Sequence, residues 1–252
     1  MQVVIIGSGN VATVLGRLLV KNNHKVVQVV SRHLEHAKVL ADELGCTFCD
    51  MDGNVNNSAD IYIVAISDGA LYGLHNKLRL GKKLVVHTAG SVPLEVLKDV
   101  SENYGVLYPL QSLRSEMKEI REIPFLIDGN TPETLTVIED LGNSISSNIV
   151  KAYDEERLKL HVAAVVVSNF SNHLFTLAEE FCQKENVNFK LLTPLILETA
   201  QRTVAHSPSH MQTGPAVRND VFTLDKHLRL LSNHPKLRYI YLKLTDSILK
   251  EN

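Results

Sequence analysis

Apolar and polar residues alternate in two different ways along this chain. In the first 150 residues or so, short apolar runs of strand length are separated by segments with apolar residues at every third or fourth position. This succession predicts an α/β fold, a doubly wound and mostly parallel sheet with helices on both faces. The predicted strands are residues 3–6, 25–31, 60–66, 83–88, 104–108 and 125–128, and the predicted helices are residues 11–20, 33–44 and 132–141.

The pattern becomes helical throughout after residue 151. Residues 154–185 contain no Gly or Pro and keep a helical pattern over about twice the length of an ordinary globular helix. Further helices are predicted at residues 191–204, 221–232 and 235–250. We therefore expect two domains, an α/β domain at residues 1–151 and an all-helical domain at residues 152–252.

The most specific motif lies at the start of the chain. The apolar run 3–6 is followed by the sequence GSGNVA at residues 7–12, in which Gly7, Gly9 and Ala12 have the spacing G-x-G-x-x-A. Gly7 permits a tight strand-to-helix turn, Gly9 permits close approach of a pyrophosphate, and Ala12 permits close packing of helix on strand. This predicts a dinucleotide site at a helix N-terminus, the alternative being a simple tight turn. The residues expected to contact the dinucleotide here are Gly7, Ser8, Gly9, Asn10 and Val11.

The end of the second predicted strand indicates which dinucleotide is bound. An NAD site typically has Asp or Glu at this point, where this chain has Ser31 followed by Arg32. The Ser31 hydroxyl can donate to a 2′-phosphate and the Arg32 guanidinium can pair with it. NADP is therefore favoured over NAD, although Arg32 could also be a solvated residue at the start of a helix.

Polar residues also follow the third and fourth long strands. One of them ends at Ile66 and is followed by Ser67 and Asp68, and the other ends at Thr88. Because ligands of doubly wound sheets lie across the carboxyl ends of the strands, we expect these four residues to contact the cofactor. Asp68 could instead cap a helix beginning near Ala70.

Two more polar positions lie at strand ends. His87 could serve in the cleft or be a structural histidine. After the strand 104–108, Gln111 and Ser112 could bind a polar substrate, the alternative being a simple turn at Pro109.

The long helix carries polar residues within an apolar segment. At 100° per residue, His161, Ser168 and Asn172 lie within roughly 40° of one another, and Asn169 lies at the edge of this stripe. Polar groups on a buried helix need partners, which a ligand cleft or a neighbouring helix can supply. We take His161, Ser168 and Asn169 as candidate catalytic residues.

The segment QTGPAVRND at residues 212–220 interrupts the helical pattern. A Gly-Pro turn followed by an arginine can present one guanidinium at a defined place. Arg218 is therefore a candidate for binding a substrate carboxylate, or else it pairs with Asp220 or with another helix.

Composition narrows the class of protein. A net charge of −2 argues against nucleic acid as a partner. We find no apolar run near the length of a membrane span, so no membrane contact is expected.

Three cysteines are too few for a disulfide framework, which favours the cytoplasm. Cys46 and Cys49 have the C-x-x-C spacing but no second pair, so a short strand is the preferred interpretation, and no metal site is expected.

Four motifs together resemble a known family. They are GSGNVA at residues 7–12, VHTAGS at residues 86–91, the pair Ser168-Asn169, and GPAVRND at residues 214–220. The chain resembles Rossmann-like two-domain proteins whose C-terminal half is domain of unknown function 2520. These are distant relatives of pyrroline-5-carboxylate reductase, ketopantoate reductase and the deazaflavin-dependent NADP oxidoreductases. Where such families usually have Arg-Gly-Asp, this chain has Asn219 in the middle position.

The resemblance implies a helical C-terminal domain like that of 6-phosphogluconate dehydrogenase, commonly used for dimerisation, and it implies no particular substrate. With the residues above, it predicts an NADP-dependent oxidoreductase acting on a small carbonyl, imine or hydroxy compound in an interdomain cleft. His161, Ser168 and Asn169 would orient or protonate the reacting group, and Gln111 and Arg218 would bind the substrate. The alternative is a non-catalytic NADP-sensing dimer. The long apolar helix predicts a homodimer in either case.

Overall fold

The computed structural model of the protein describes residues 1–117 and 119–250, except for the side chain of Lys250. The chain divides into two compact units, one of them Met1–Ser168 and the other beginning at Asn169. The sequence pattern places the boundary near residue 151 instead, because the pattern becomes helical from about residue 154 onward. Residues 251 and 252 of the predicted second domain lie outside the described residues.

The first unit is built on a sheet of eight strands within the described residues. The sheet order is β3-β2-β1-β4-β5-β6-β7-β8, and every neighbouring pair is parallel except β6 and β7. The order reverses between β1 and β4, which is the topological switch point where ligands of doubly wound sheets bind. The strands are β1 (Gln2–Ile6), β2 (Lys25–Val30), β3 (Thr47–Cys49), β4 (Ile61–Val64), β5 (Gly81–His87), β6 (Ser101–Pro109), β7 (Phe125–Gly129) and β8 (Ile149–Lys151).

Helices cover both faces of this sheet. The central strands bury side chains on each face, so their sequences are continuously apolar, as β4 shows with four buried residues in succession. Two separate apolar cores result, one on each side of the sheet. The helices of this unit are α1 (Asn10–Lys21), α2 (Leu34–Leu44), α3 (Asp68–Leu71), α4 (Pro132–Ile145) and α5 (Asp154–Ala164), with 3-10 turns at Leu74–Asn76 and Leu94–Leu97.

The predicted fold class is confirmed. All six predicted strands form, and the short strand preferred for residues 46–49 is β3. Strand β8 was not predicted, because its three residues lie at the sheet edge, where Val150 is exposed and no apolar run marks it.

The second unit is helical in its described part. A π-helical segment, Val165–Phe170, follows α5 and contains the boundary between the two units. The helices after it are α6 (Ser171–Lys184), α7 (Thr193–Ala205), α8 (Val221–Leu230) and α9 (Pro235–Lys250). Asp220 caps α8 by accepting from the Thr223 N–H at 3.0 Å, so the predicted break between α7 and α8 ends in a standard cap.

The long helical run corrects the expectation about membrane-length segments. By length and composition alone, the helical run Asp154–Lys184 is long and apolar enough to cross a membrane. It contains an 18-residue window of mean hydropathy 1.2, in which 6% of the residues are buried. The sequence pattern conceals this property because Ser, Asn and His interrupt the apolar residues. Because so little of this helix is buried, its polar residues do not need partners in the way that polar residues on a buried helix do.

Candidate dinucleotide-binding site

The turn after β1 depends on a residue without a side chain at position 7. Gly7 has a φ of +125°, and a Cβ added there would lie 2.1 Å from the carbonyl oxygen of Ala65. Its N–H donates to the Val30 carbonyl at 2.7 Å, which fastens the turn to the neighbouring strand β2. Only glycine fits this combination of backbone angle and contact.

The residue at position 9 is glycine for a different reason. Gly9 precedes α1 with φ −86°, and a Cβ added there would have no atom within 4 Å. No side chain of the described residues caps α1, and no acidic residue lies in its first turn. The N–H groups of a helix N-terminus and the helix dipole favour an anion. The chain therefore fits a pyrophosphate at this position.

A groove of about 640 Å³ begins at this turn. Its lining includes seven of the eleven predicted cofactor residues, which supports one continuous ligand site at the switch point. These seven are Gly7, Ser8, Gly9, Ser31, Arg32, Ile66 and Ser67.

The other four predicted cofactor residues have different surroundings. Asn10 accepts through Oδ1 from the Ser115 N–H at 3.0 Å. Asp68 accepts from the Ser91 hydroxyl, and the Thr88 hydroxyl donates to the Val64 carbonyl at 3.3 Å. Val11 packs against the core. Their predicted contact with cofactor stays a prediction.

The far end of the groove carries basic groups. The Ser31 and Ser8 hydroxyls lie 2.8 Å apart, so the end of β2 is joined to the glycine turn. The exposed Arg32 guanidinium contacts the His33 ring at 3.3 Å, and the His33 and His36 rings lie 5.4 Å apart. These two histidines also line the groove. The sequence-based prediction did not include these two histidines, although residues three positions apart lie on one side of a helix such as α2.

His87 proves to be a buried structural histidine. It lies at the end of β5 with no exposed surface, and its Nδ1 accepts from the Ala89 N–H at 3.2 Å. Burial, aided by the nearby Arg157 charge, lowers its pKa to about 4. It is therefore neutral at pH 7 and does not shuttle protons there.

The buried His87 makes stability depend on pH. In the unfolded chain the His87 imidazole has a pKa of about 6.5, whereas in the folded chain its pKa is about 4. Its contribution is fully present above pH 6.5 and falls by up to about 3 kcal/mol as the pH drops to 4. Urea unfolding at pH 7.5 and pH 5 should show this loss for the wild type and for His173→Gln, an exposed control, but a smaller loss for His87→Gln. An equal loss in His87→Gln would refute the assignment.

His161 forms a pair with a tyrosine that the sequence argument did not select. The Tyr108 Oη and His161 Nδ1 lie 2.9 Å apart, with Tyr108 at the carboxyl end of β6 and His161 on α5. A Cβ added at Gly90 would lie 2.7 Å from both His161 Nδ1 and Tyr108 Cζ, so this glycine allows the pair to press against the loop after β5. Nothing in the sequence pattern links residues 53 positions apart.

A buried arginine fastens α5 to that same loop. Arg157 is 1% exposed, and its Nη2 donates to the Val92 carbonyl and to Asp154 Oδ1, both at 2.6 Å. Asp154 Oδ1 also accepts from the Leu94 N–H at 2.9 Å. Arg157 lies one helical turn before His161, so this ion pair orients the part of α5 that carries the histidine.

The remaining candidates are spread over both units. Gln111 is exposed in the turn after β6, where its Oε1 accepts from the Ser112 N–H at 3.0 Å. Ser168 and Asn169 lie on either side of the unit boundary, within the π segment. Arg218 is exposed in the second unit, and its charge helps to lower the Asp220 pKa after the larger effect of the Thr223 hydrogen bonds.

The π segment changes the expected alignment of polar residues. The 100° spacing between His161 and Ser168 assumes an α-helix, but Val165–Phe170 bonds from i to i+5. The stripe predicted from α-helical periodicity therefore does not carry over this segment. Such π segments are frequent at functional sites.

The loop before α8 keeps a glycine-like conformation without glycine. Asn219, where related families have Gly, has a φ of +48°. Asparagine tolerates this left-handed region better than other residues with side chains. The loop backbone is thus compatible with the family motif.

The described residues do not favour a metal site or a reactive thiol. They contain no group of three or more His, Cys, Asp or Glu side chains able to hold a metal ion. Burial raises the pKa of the Cys46 and Cys49 thiols, which disfavours the reactive thiolate.

Two family models match consecutive parts of the chain. The model described as "NADP oxidoreductase coenzyme F420-dependent" matches residues 2–90. The model described as "Domain of unknown function (DUF2520)" matches residues 123–248, which is 126 of the 252 residues. A glutamyl-tRNA reductase of Methanococcus aeolicus is 28% identical over 169 residues, 61% of this chain, but the match spans only 42% of that relative's length.

Solved structures resemble the chain over its whole length. A Bacteroides fragilis protein, provisionally assigned as an NADP oxidoreductase, is 36% identical with a TM-score of 0.93, covering 99% of this chain and 98% of its own. An NADPH-bound reductive aminase from Aspergillus terreus has a TM-score of 0.73 at 14% identity, covering 100% and 94%. A pyrroline-5-carboxylate reductase from Streptococcus pyogenes has a TM-score of 0.64 at 16% identity, covering 99% and 98%. The last two likenesses show the fold alone. The chain belongs to the DUF2520 family, with an N-terminal Rossmann domain of the NADP oxidoreductase type.

Proposed function

We propose that this protein is an NADP-dependent oxidoreductase that holds its cofactor in the groove at the β1–β4 switch point. The observation that carries this proposal is the glycine turn, where Gly7 has no room for a Cβ and Gly9 faces open space. When bound, the nicotinamide would give a hydride with its electron pair to a carbonyl or imine carbon, or take one from a carbon that carries a hydroxyl group. The match to an NADP oxidoreductase model over residues 2–90 supports the same cofactor class.

Each part of the groove has a distinct task in this proposal. The N-terminus of α1 and the backbone at Gly9 hold the pyrophosphate. Ser31 and Arg32 hold the 2′-phosphate, with the His33 ring beside them as a further donor. Ile66 and Ser67 line the wall that follows β4.

The cofactor preference depends on Arg32. Arg32→Ala should weaken NADPH binding roughly 10- to 100-fold, because a charge-assisted bond to phosphate contributes about 1.5–3 kcal/mol. NADH has no 2′-phosphate, so its affinity should change little. Calorimetric titration measures both, with Arg79→Ala as the control, since Arg79 is exposed and outside the groove lining. Equal NADPH affinity in Arg32→Ala and wild type would remove the arginine from the site.

The substrate is proposed to be a small carbonyl, imine or hydroxy compound. His161, Ser168 and Asn169 stay the candidates for orienting its reacting group, and Gln111 and Arg218 for binding its polar or anionic end. Arg218 can grip a carboxylate with two parallel N–H donors.

Turnover tests the oxidoreductase proposal. NADPH oxidation is followed with a panel of aldehydes, ketones, 2-keto acids and cyclic imines, and at least one should react above background. Tight NADPH binding without turnover across the panel would favour the non-catalytic NADP sensor instead.

We also propose that the chain forms a homodimer through its apolar helical run. Val162, Val167 and Phe170 are 57%, 73% and 59% exposed, and leaving a cluster of such side chains in water is unfavourable. Cyclic pairing of identical faces is the commonest way to cover such a surface. The predicted cytoplasmic location accords with three free cysteines.

A charge within this surface should separate the subunits. Val167→Glu should weaken association by about 3 kcal/mol, roughly a hundredfold, because it buries an unpaired charge at the interface. Val39→Glu is the matched control, since Val39 is 69% exposed on α2. Sedimentation velocity at micromolar concentration measures the change. A monomeric wild type would exclude the dimer, and a dimeric Val167→Glu would exclude this interface.

A further inference from the structure

The Tyr108–His161 pair is a polar contact in the first unit that the cofactor site does not use. Tyr108 is only 9% exposed, and its ring meets that of His161 edge-on at 5.9 Å between centroids. Among the described residues, the 2.9 Å bond between Oη and Nδ1 is the hydrogen bond of the His161 ring.

This hydrogen bond joins two groups that can each donate or accept. Burial raises the Tyr108 pKa, and the charge of Asp68 adds to the rise. The hydroxyl therefore keeps its proton at neutral pH, and it can donate that proton to Nδ1 or accept from an Nδ1–H. An imidazole that accepts at Nδ1 carries its own proton on Nε2. When Tyr108 donates, it therefore holds His161 in the Nε2–H tautomer.

The pair lies at the same sheet edge as the groove. Strands β1, β4, β5 and β6 are consecutive parallel neighbours, so their carboxyl ends lie side by side. Gly90, which contacts the pair, precedes Ser91, whose hydroxyl joins Asp68 in the loop after β4. That loop also contributes Ser67 to the groove. A ligand extending along this edge from the glycine turn passes toward His161.

We propose that His161 is a hydrogen-bond donor to the substrate through Nε2–H, and that Tyr108 is the positioning residue that maintains this tautomer. The proposal rests on the oxidoreductase function proposed above. As a hydride adds to a carbonyl carbon, the π electron pair moves to oxygen, and Nε2–H stabilises the developing charge. The alkoxide then takes its proton from water, which leaves hydroxide, so Nε2 keeps its own proton.

This assignment narrows the substrate class. A carbonyl oxygen accepts a hydrogen bond from Nε2–H, whereas the N–H of a protonated imine is itself a donor and cannot. The pair therefore selects ketones and aldehydes over iminium substrates, because two donors that face each other both lose their hydrogen bond.

Nitrogen-15 NMR of the histidine rings tests the tautomer without any substrate. The wild type should show His161 as the Nε2–H form, and Tyr108→Phe should show a mixture of tautomers. Tyr104→Phe is the matched control, because Tyr104 lies on the same strand and its hydroxyl donates to Glu95 instead. A wild-type Nδ1–H tautomer, or an unchanged spectrum in Tyr108→Phe, would overturn the role of Tyr108.

Two further readouts separate this inference from the proposed function. NADPH should shift the His161 ring signals, whereas 2′,5′-ADP, which has no nicotinamide, should not. An unshifted signal with NADPH bound would remove His161 from the reacting end while leaving the cofactor site intact.

On the turnover panel, Tyr108→Phe should lower carbonyl kcat at least tenfold with NADPH affinity unchanged, and equal kcat or preferred imine turnover would refute the role. Failure of NADPH to bind at all would instead refute the proposed function.

Discussion

Gly7→Ala should destabilise the first unit by about 3–5 kcal/mol and abolish NADPH binding. The added Cβ would lie 2.1 Å from the Ala65 carbonyl oxygen, so β1 and β4 would have to separate. Overpacking of this kind costs about 1–3 kcal/mol, and the backbone at φ +125° adds a similar strain for any residue with a Cβ. Thermal unfolding should show a fall of roughly 10 °C.

Gly9→Ala is the matched control for this prediction. A Cβ at position 9 meets no atom within 4 Å, and its φ of −86° suits alanine. The melting temperature should therefore change little, while NADPH affinity should fall at least tenfold, because the methyl group occupies the space assigned to the pyrophosphate. Unchanged NADPH affinity in Gly9→Ala would contradict that assignment. A wild-type melting temperature in Gly7→Ala would contradict the packing argument.

The ion pair that orients α5 should respond unequally to removal of its two members. Asp154→Ala should cost about 3 kcal/mol, since it leaves the Arg157 charge buried and also removes the acceptor of the Leu94 N–H. Arg157→Met should cost less. This substitution leaves no charge buried without a partner, because the Asp154 side chain is 43% exposed and can be hydrated.

The buried arginine itself supports this asymmetry. Its Nε and Nη1 are buried without a hydrogen-bond partner among the described residues, so the charge is only partly compensated. Apolar replacement of a buried ion pair is often neutral or stabilising. Urea unfolding of the two variants measures the difference. A larger loss in Arg157→Met than in Asp154→Ala would show that the bond to the Val92 carbonyl matters more than the charge.

The fold was predictable because its signals are local. The apolar runs of β1 and β4 are buried on both faces, and the residues needed at positions 7, 9 and 12 are specified by backbone geometry within a single turn. Strand β8 lacked such a signal, since three residues at a sheet edge, two of them exposed, have no distinctive pattern.

The candidate site was only partly predictable because much of it depends on tertiary contacts. The groove residues on the turns after β1, β2 and β4 follow from strand ends, which a sequence marks clearly. The bond between Tyr108 and His161 and the burial of Arg157 join segments far apart in sequence. The π segment also altered a helical alignment that residue spacing alone had suggested.

Titration of the wild-type protein with NADPH and NADH, read by calorimetry and by melting temperature, tests the central claim most directly. We expect one NADPH per chain, bound more tightly than NADH, and a stabilisation of about 2.7 kcal/mol at a hundred times Kd. Binding of neither dinucleotide would contradict the account, because the glycine turn would then be only an element of the architecture.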